Sequence, residues 1–437
     1  IKARTRFPAN PIGSSALLLA GTGGCLALGV LCKENALLLC AFCLFVGRFC
    51  FAPVTSHRPL WRLLTIPLLV APLLAFMAYV LIDTQWFTRG YEHRNFTAWE
   101  RLLTQGPVLV DYLRNLLFPR LSGTGLYFDD YPVSRSLLAP PKTLLAWLLL
   151  FGWAGLAITW RQRLPLFAFG TGFFFVGHSM ESSVLSLELY FEHRNYLPQL
   201  GLWLCMAQAA LGIHKWATSP LSRKLLAALL CVFIATLASI THANATLWGD
   251  DILLAETWRK ERNTARAQLR FVNLAYDSGQ IDIARTAMLE TAKSNPNMLG
   301  AQLSLAFIEC TAFDNPLNLP ALAALAAFAE FDNASLEVLE KLRQPEVAKA
   351  CKGLRSQDLL TIYAALDSNP HFQARHTQST IHVAMAELSA ELRDLSGMMA
   401  HYDLAFAAKR HAVYPYRQAT YLVSAGLYED ALAYLDK

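Results

Sequence analysis

Charged residues are scarce in this chain of 437: they make up 16%, against about 25% in ordinary soluble domains, while hydrophobic residues reach 54%. That shortage rules out a uniformly soluble protein. Cysteine is present, but not where metal sites are built. Seven of the nine (Cys25, Cys32, Cys40, Cys43, Cys50, Cys205 and Cys231) lie inside apolar runs and read as small hydrophobes. Cys32, Cys40 and Cys43 have no histidine at zinc-site spacing, so no metal-ligand set is assigned. Net charge is also small, at +5, and the basic residues gather beside apolar runs. This is the pattern of membrane topology, and no nucleic-acid partner is expected. An initiator methionine and a signal peptide are both missing, and the chain ends inside an amphipathic helix, so an internal fragment of a longer protein is expected.

What is there divides near Ala243. Seven stretches before it are apolar enough to be read as spans: Ser15–Cys32, Ala36–Ala52, Leu63–Ile82, Leu144–Trp160, Pro165–Val176, Leu197–Ile213 and Leu225–Ile240. Lys33-Glu34-Asn35 alone separates the first two, which predicts a tight hairpin. Basic clusters alternate with the spans: Lys2, Arg4 and Arg6; Arg48, His57, Arg58 and Arg62; Arg161 and Arg163; Lys215, Arg223 and Lys224. The positive-inside rule puts these in the cytoplasm. The opposite side then receives Lys33-Glu34-Asn35, a long loop over 83–142, a loop over 178–196, and everything after Thr241. In the long loop, Thr97–Leu117 has apolar residues at helical spacing broken by Gly106-Pro107. It predicts one or two helices along the membrane interface, anchored by Trp99, Tyr112 and Phe118.

After residue 243 the pattern changes to paired amphipathic helices. Ala265–Ser278, Gly279 and Ile281–Ser294 form one helix-turn-helix unit, and Tyr416–Ala425, Gly426 and Leu427–Asp436 another, near the spacing of tetratricopeptide units. Between them Ala301–Phe313, Pro320–Phe331, Ser335–Leu342, Ser356–Asp367 and Thr380–Ala408 read as helical with degenerate repeats. The predicted fold is therefore all-α: a polytopic transmembrane bundle over 1–243, followed by a soluble tetratricopeptide-like solenoid over 244–437. Cys310 and Cys351 both fall in this second part, where an oxidising compartment would let them pair.

The polar groups near the apolar runs that are not simply basic collect on the outer side. They are Lys33 and Glu34, Glu92-His93-Arg94, Asp129 and Asp130, His178, Glu181, and the run Glu188-Leu-Tyr-Phe-Glu-His-Arg-Asn-Tyr196. For Lys33 and Glu34 a plain turn is the bland alternative, for Asp129 and Asp130 turn capping, and for Glu181 a solvated cap. Five clusters on one face favour a shared site. The chemistry suited to them is transfer from a lipid-linked anionic donor. Lys33, His193 and Arg194 would meet phosphate, Arg through its planar fork and Lys as a point charge. A carboxylate would act as general base on an acceptor hydroxyl or hold a divalent metal. Asp129 and Asp130 are adjacent, so in an extended segment they point apart and do not form a dyad.

The runs Leu28-Gly-Val-Leu-Cys-Lys-Glu-Asn-Ala36, Arg94-Asn-Phe-Thr-Ala-Trp-Glu-Arg-Leu-Leu-Thr-Gln105 and Phe191-Glu-His-Arg-Asn-Tyr-Leu-Pro198, with the trailing repeats, resemble the type C superfamily of bacterial membrane glycosyltransferases. The layout is similar to transmembrane tetratricopeptide O-mannosyltransferases and, more distantly, to protein oligosaccharyltransferases. The resemblance implies an inverting transfer of sugar from a polyprenyl-phosphate donor to a protein or glycan acceptor. It also implies a multi-pass protein of the bacterial inner membrane, in contact with lipid, with its repeats in the periplasm. The superfamily's catalytic acid sits in the first outer loop, which is expected upstream of Ile1. The expected substrate-binding residues are Lys33, Glu34, Asp129, Asp130, His178, Glu181, Glu192, His193, Arg194 and Tyr196. Two other functions fit the same sequence. One is a membrane scaffold whose repeats recruit envelope or pilus proteins. The other is a transporter, disfavoured because the charges gather at one interface rather than near mid-membrane.

Overall fold

The structure, a computed structural model, describes residues 2–51, 58–82, 90–91, 94–120, 125–262 and 264–435. Among them there are helices and turns and no β-strand. His57, Glu92 and His93, three of the residues singled out above, lie outside the described residues. The chain forms two compact units, Ile1–Trp248 and Gly249–Lys437.

In the first unit each of the seven apolar stretches contains a helix. These are α1 (Pro11–Cys32), α2 (Leu38–Phe49), α3 (Arg58–Ile82), α5 (Lys142–Thr159), α6 (Pro165–His178), α7 (Gln199–Trp216) and α8 (Pro220–Leu247), with α4 (Ala98–Leu117) between α3 and α5. Four of them, α1, α3, α5 and α8, are long and apolar enough to cross a membrane, which makes this a multi-pass membrane protein. The other three fall short for different reasons. At 12 and 14 residues, α2 and α6 extend only about 18 and 21 Å, against a hydrocarbon core of about 30 Å. Helix α7 has the length but closes on His214 and Lys215.

Helix α4 is a single helix, with Pro107 inside it, and not two. A capping box starts it: Thr97 accepts from the Glu100 amide, and Glu100 accepts in return from Thr97 N. Trp99 and Phe118 are exposed, as interface anchors should be, but Tyr112 is buried. The face of α4 with Val108, Leu109, Tyr112 and Leu116 packs into a core with Phe128, Tyr131, Leu150, Phe174 and Tyr190. Gly106 lets it approach closely, because a Cβ there would meet the Trp147 ring at 2.7 Å. The Trp147 indole N–H donates to Leu103 O at 3.1 Å across the same contact.

The second unit is a run of paired helices. It starts with α9 (Asp251–Glu261), α10 (Ala265–Asp277), α11 (Ile281–Ser294), α12 (Leu299–Ala312) and α13 (Leu319–Ala326), then α14 (Asn333–Leu342), α15 (Pro345–Ala350) and α16 (Ser356–Asp367). It ends with α17 (Arg375–Glu391), α18 (Leu395–Ala408), α19 (Val413–Ser424) and α20 (Tyr428–Leu435). Gly279 and Gly426 turn the chain at φ 76° and 78°, where a glycine escapes the Cβ clash. Thr380–Ala408, expected as one helical stretch, is two helices. Arg393 takes φ 61° and Asp394 caps α18 by accepting from Gly397 N. Cys310 and Cys351 form a disulfide that closes 41 residues of chain. Replacing both with serine should lower the unit's stability by about 2–4 kcal/mol. Denaturant unfolding with and without reductant measures this, and wild type should lose as much on reduction as the double variant has already lost.

Candidate functional site

The loop 178–198 is clamped at its root. Helices α6 and α7 cross backbone to backbone: a Cβ on Gly170 would lie 2.3 Å from Gly201 O, and one on Gly201 2.2 Å from Gly170 O. About two turns further along α6, Gly177 faces Pro198, whose Cγ would stand 2.7 Å from an added Cβ. Only glycine at these points lets both ends of the loop leave the bundle side by side.

The body of the loop is held by one face of α4. Arg101 is fully buried, and among the described residues its guanidinium donates only to backbone carbonyls: Leu187 O at 3.0 Å, Glu181 O at 2.7 Å, Glu188 O at 3.5 Å and Ser183 O. One turn on, Gln105 donates to Leu189 O at 3.1 Å. Tyr112 donates its hydroxyl to Phe191 O at 2.9 Å and accepts from Phe191 N at 3.1 Å. Asn115 donates to the Tyr190 hydroxyl at 2.8 Å and to Glu192 Oε1 at 3.3 Å. Positions 101, 105, 112 and 115 share a face at helical spacing, so α4 reads the loop carbonyl by carbonyl. Burial lowers Arg101 to about 10 and raises Tyr112 to about 12. Arg101 is therefore still a cation at neutral pH, and Tyr112 is still a hydroxyl.

Held in this way, the loop carries Glu181 to the turn between α1 and α2. The carboxylate is 8% exposed. Its Oε1 accepts from Asn35 Nδ2 and lies 4.0 Å from Lys33 Nζ, while Oε2 lies 3.7 Å from Arg194 Nε. Lys33 is extended, at φ −160°, and breaks the helix so that Glu34–Leu37 forms a 3-10 turn presenting Asn35. Neither cation is saturated. Among the described residues the Lys33 ammonium makes no hydrogen bond, and the Arg194 guanidinium donates one, to Glu188 O at 2.6 Å. Distances of 3.7 and 4.0 Å are electrostatic contacts rather than hydrogen bonds. His193 lies in the same positive field. Partial burial, then Arg194 and Lys33, lower its pKa below the ordinary imidazole value, against the opposing pull of Glu181 and Glu188. His178 Nε2 sits 3.2 Å from Asn195 Oδ1, and its ring stacks on Tyr112 at 5.5 Å.

The expected site residues thus separate. Lys33, Glu181 and Arg194 converge, with His193 in their field and His178 bonded to Asn195 of the same loop. Glu34 is exposed, and Asn35 makes the contact with Glu181. Glu192 belongs to a different group, accepting from the Tyr190 hydroxyl at 3.1 Å. Asp129 and Asp130 stand exposed in a turn between Phe128 and Tyr131, whose rings pack on Tyr190 at 4.4 and 5.4 Å. Tyr196 is 77% exposed at the start of α7. No known protein family and no curated protein matches the chain. Among the described residues no three His, Cys, Asp or Glu side chains come together as a metal site.

Sequence reasoning missed three residues that the site depends on. Asn35 was visible only as part of a short polar break between two apolar runs. Arg101 and Gln105 were visible only as polar interruptions of an amphipathic helix. Their partners are backbone carbonyls, which no residue type announces.

Proposed function

We propose that this membrane protein transfers a sugar from a polyprenyl-phosphate-linked donor to a protein or glycan acceptor, on the side of the membrane where loop 178–198 lies. The observation behind the reading is the pair Lys33 and Arg194, held apart by one near-buried carboxylate and both left with donors to spare. Lys33 and Arg194 flank the one carboxylate in contact with both, where α1 and α6 end, and Glu188 adds a second negative charge in the field at His193. A lipid-borne phosphate reaches such a place with its tail still in the bilayer. Arg194, with Nη1 on Glu188 O and Nε toward Glu181, would meet the phosphate through Nη2, and Lys33 as a point charge. Glu181 has its oxygens engaged by Asn35 and the two cations, so its part is to orient them.

The disulfide supports an extracytoplasmic, periplasmic setting for the second unit, because such bonds persist in oxidising compartments. The scaffold reading keeps one observation in its favour. A cavity of about 210 Å³ opens between α10, α12, α14 and α15, edged by Asn273, Tyr276, Phe307 and Lys341. A recruited peptide would fit there.

The binding half of the proposal is tested with farnesyl phosphate and the protein in nanodiscs. Wild type should bind it, and Arg194→Ala should bind about 10- to 100-fold more weakly, the worth of one or two charge-assisted hydrogen bonds. Equal binding by both proteins would remove Arg194 from the site and favour the scaffold.

A further inference from the structure

The second unit packs two histidines against each other, His382 buried and His401 half-buried. His382, on α17, and His401, on α18, stack with ring centroids 5.6 Å apart and planes at 23°. His382 is 5% exposed. The Nδ1 atom of each ring is buried and has no hydrogen-bond partner among the described residues. At the other edge of His382, Nε2 lies 3.4 Å from Asp367 Oδ1 at the end of α16.

We infer that this stacked pair is an acid-sensitive latch, which closes the α17–α18 hairpin at neutral pH and releases it when both rings take up protons. The physical case rests on the geometry. Two neutral imidazoles can stack, whereas two imidazolium ions at this separation repel. Protonation of His382, whose Nε2 already faces Asp367, would also place a new N–H donor at an Nδ1 with no acceptor among the described residues, and a buried unpaired polar group costs about 1–3 kcal/mol. Asp367 stands at the opposite edge of that ring and cannot accept from it.

The surrounding charges leave this balance in place. From α16 the pair is faced by Asp367, and from the turn into α18 by Asp394, which is occupied with capping Gly397 and Ser396. Helix α19, packed on α18, brings Arg417, which is already paired with Glu387 of α17. Glu387 also holds Arg343 at 2.5 Å, so it is not free to answer the histidines. Burial lowers the pKa of both rings, with Asp367 opposing it at His382; His401 is lowered further by His382 itself. For a lowered histidine the sign is fixed. The open state binds more protons, so closure is stable above the ordinary imidazole value near 6.5 and is lost progressively as pH falls below it. Opening would free α19 and α20 from the rest of the unit.

Hydrogen exchange on the full chain in nanodiscs, corrected for the intrinsic rate at each pH, tests the latch. Between pH 7 and pH 5 the opening equilibrium of α17 and α18 should rise by up to about tenfold per pH unit for each proton taken up. The α10–α11 pair, which lacks histidine, should stay flat. In H382Q/H401Q, folded at pH 7.5 by circular dichroism, the rise should vanish. A flat wild type, or an equal rise in the folded double variant, overturns the inference. Should that variant fail to fold, histidine ring signals of the wild type decide. Titration of both rings below free histidine supports the latch, and ordinary titration of either overturns it.

Discussion

Replacing Arg101 with methionine should release loop 178–198 from α4 and cost the first unit much of its stability. The variant keeps the length and apolar volume of the side chain but leaves the carbonyls of Glu181, Ser183 and Leu187 without this donor, while Glu188 O keeps Arg194. Each buried acceptor left unpaired costs about 1–3 kcal/mol, so even two that find no water remove about 2–6 kcal/mol. That is comparable to the whole stability of an ordinary domain, about 5–15 kcal/mol. Lysine in its place keeps the charge but not the fork, and three donors on one nitrogen cannot span acceptors at 181, 183, 187 and 188. Arg101→Lys should therefore lose at least about 2 kcal/mol. Denaturant unfolding in detergent, together with limited proteolysis inside 181–190, measures both effects. Variants as stable and as protease-resistant as wild type would mean that the loop holds itself.

The second large effect is expected at Glu181, and its direction is the informative part. In Glu181→Gln the group that competes with phosphate for Lys33 and Arg194 loses its charge. The variant should therefore bind farnesyl phosphate more tightly, by about fivefold, the worth of about 1 kcal/mol. The same change removes what holds the two cations in place, so sugar transfer should fall by at least about tenfold, with KM lowered alongside kcat. Tighter binding with slower turnover distinguishes an orienting carboxylate from a phosphate ligand or a bystander. Weaker binding by Glu181→Gln would contradict the role given to it.

The helices were legible because their signals are local. Apolar runs of membrane length and apolar residues at 3.6 spacing need no tertiary knowledge, and Gly279 and Gly426 mark turns by their own backbone chemistry. The site was legible in part. Lys33, Glu181, His193 and Arg194 drew notice as ionisable groups beside apolar runs, and they do converge. Tyr112 misled: a tyrosine on an amphipathic helix reads as an interface anchor, yet its hydroxyl bridges both backbone groups of Phe191 inside the core. Glu34 was the candidate and its neighbour Asn35 was not, and the extended backbone of Lys33 sets the 3-10 turn from which Asn35 reaches Glu181. Arg101 shows the general limit. A buried arginine with no acidic partner is matched to carbonyls, and carbonyls leave no trace in residue types.

Sugar transfer in proteoliposomes, from a mixed pool of polyprenyl-phosphate sugars to envelope proteins and scored by mass spectrometry, tests the central claim most directly. The full-length protein should transfer a sugar from at least one donor. Arg194→Ala, with its fold intact, should lose at least about 10-fold of that rate. No transfer by wild type from any donor in the pool, or full transfer by Arg194→Ala, would contradict the account.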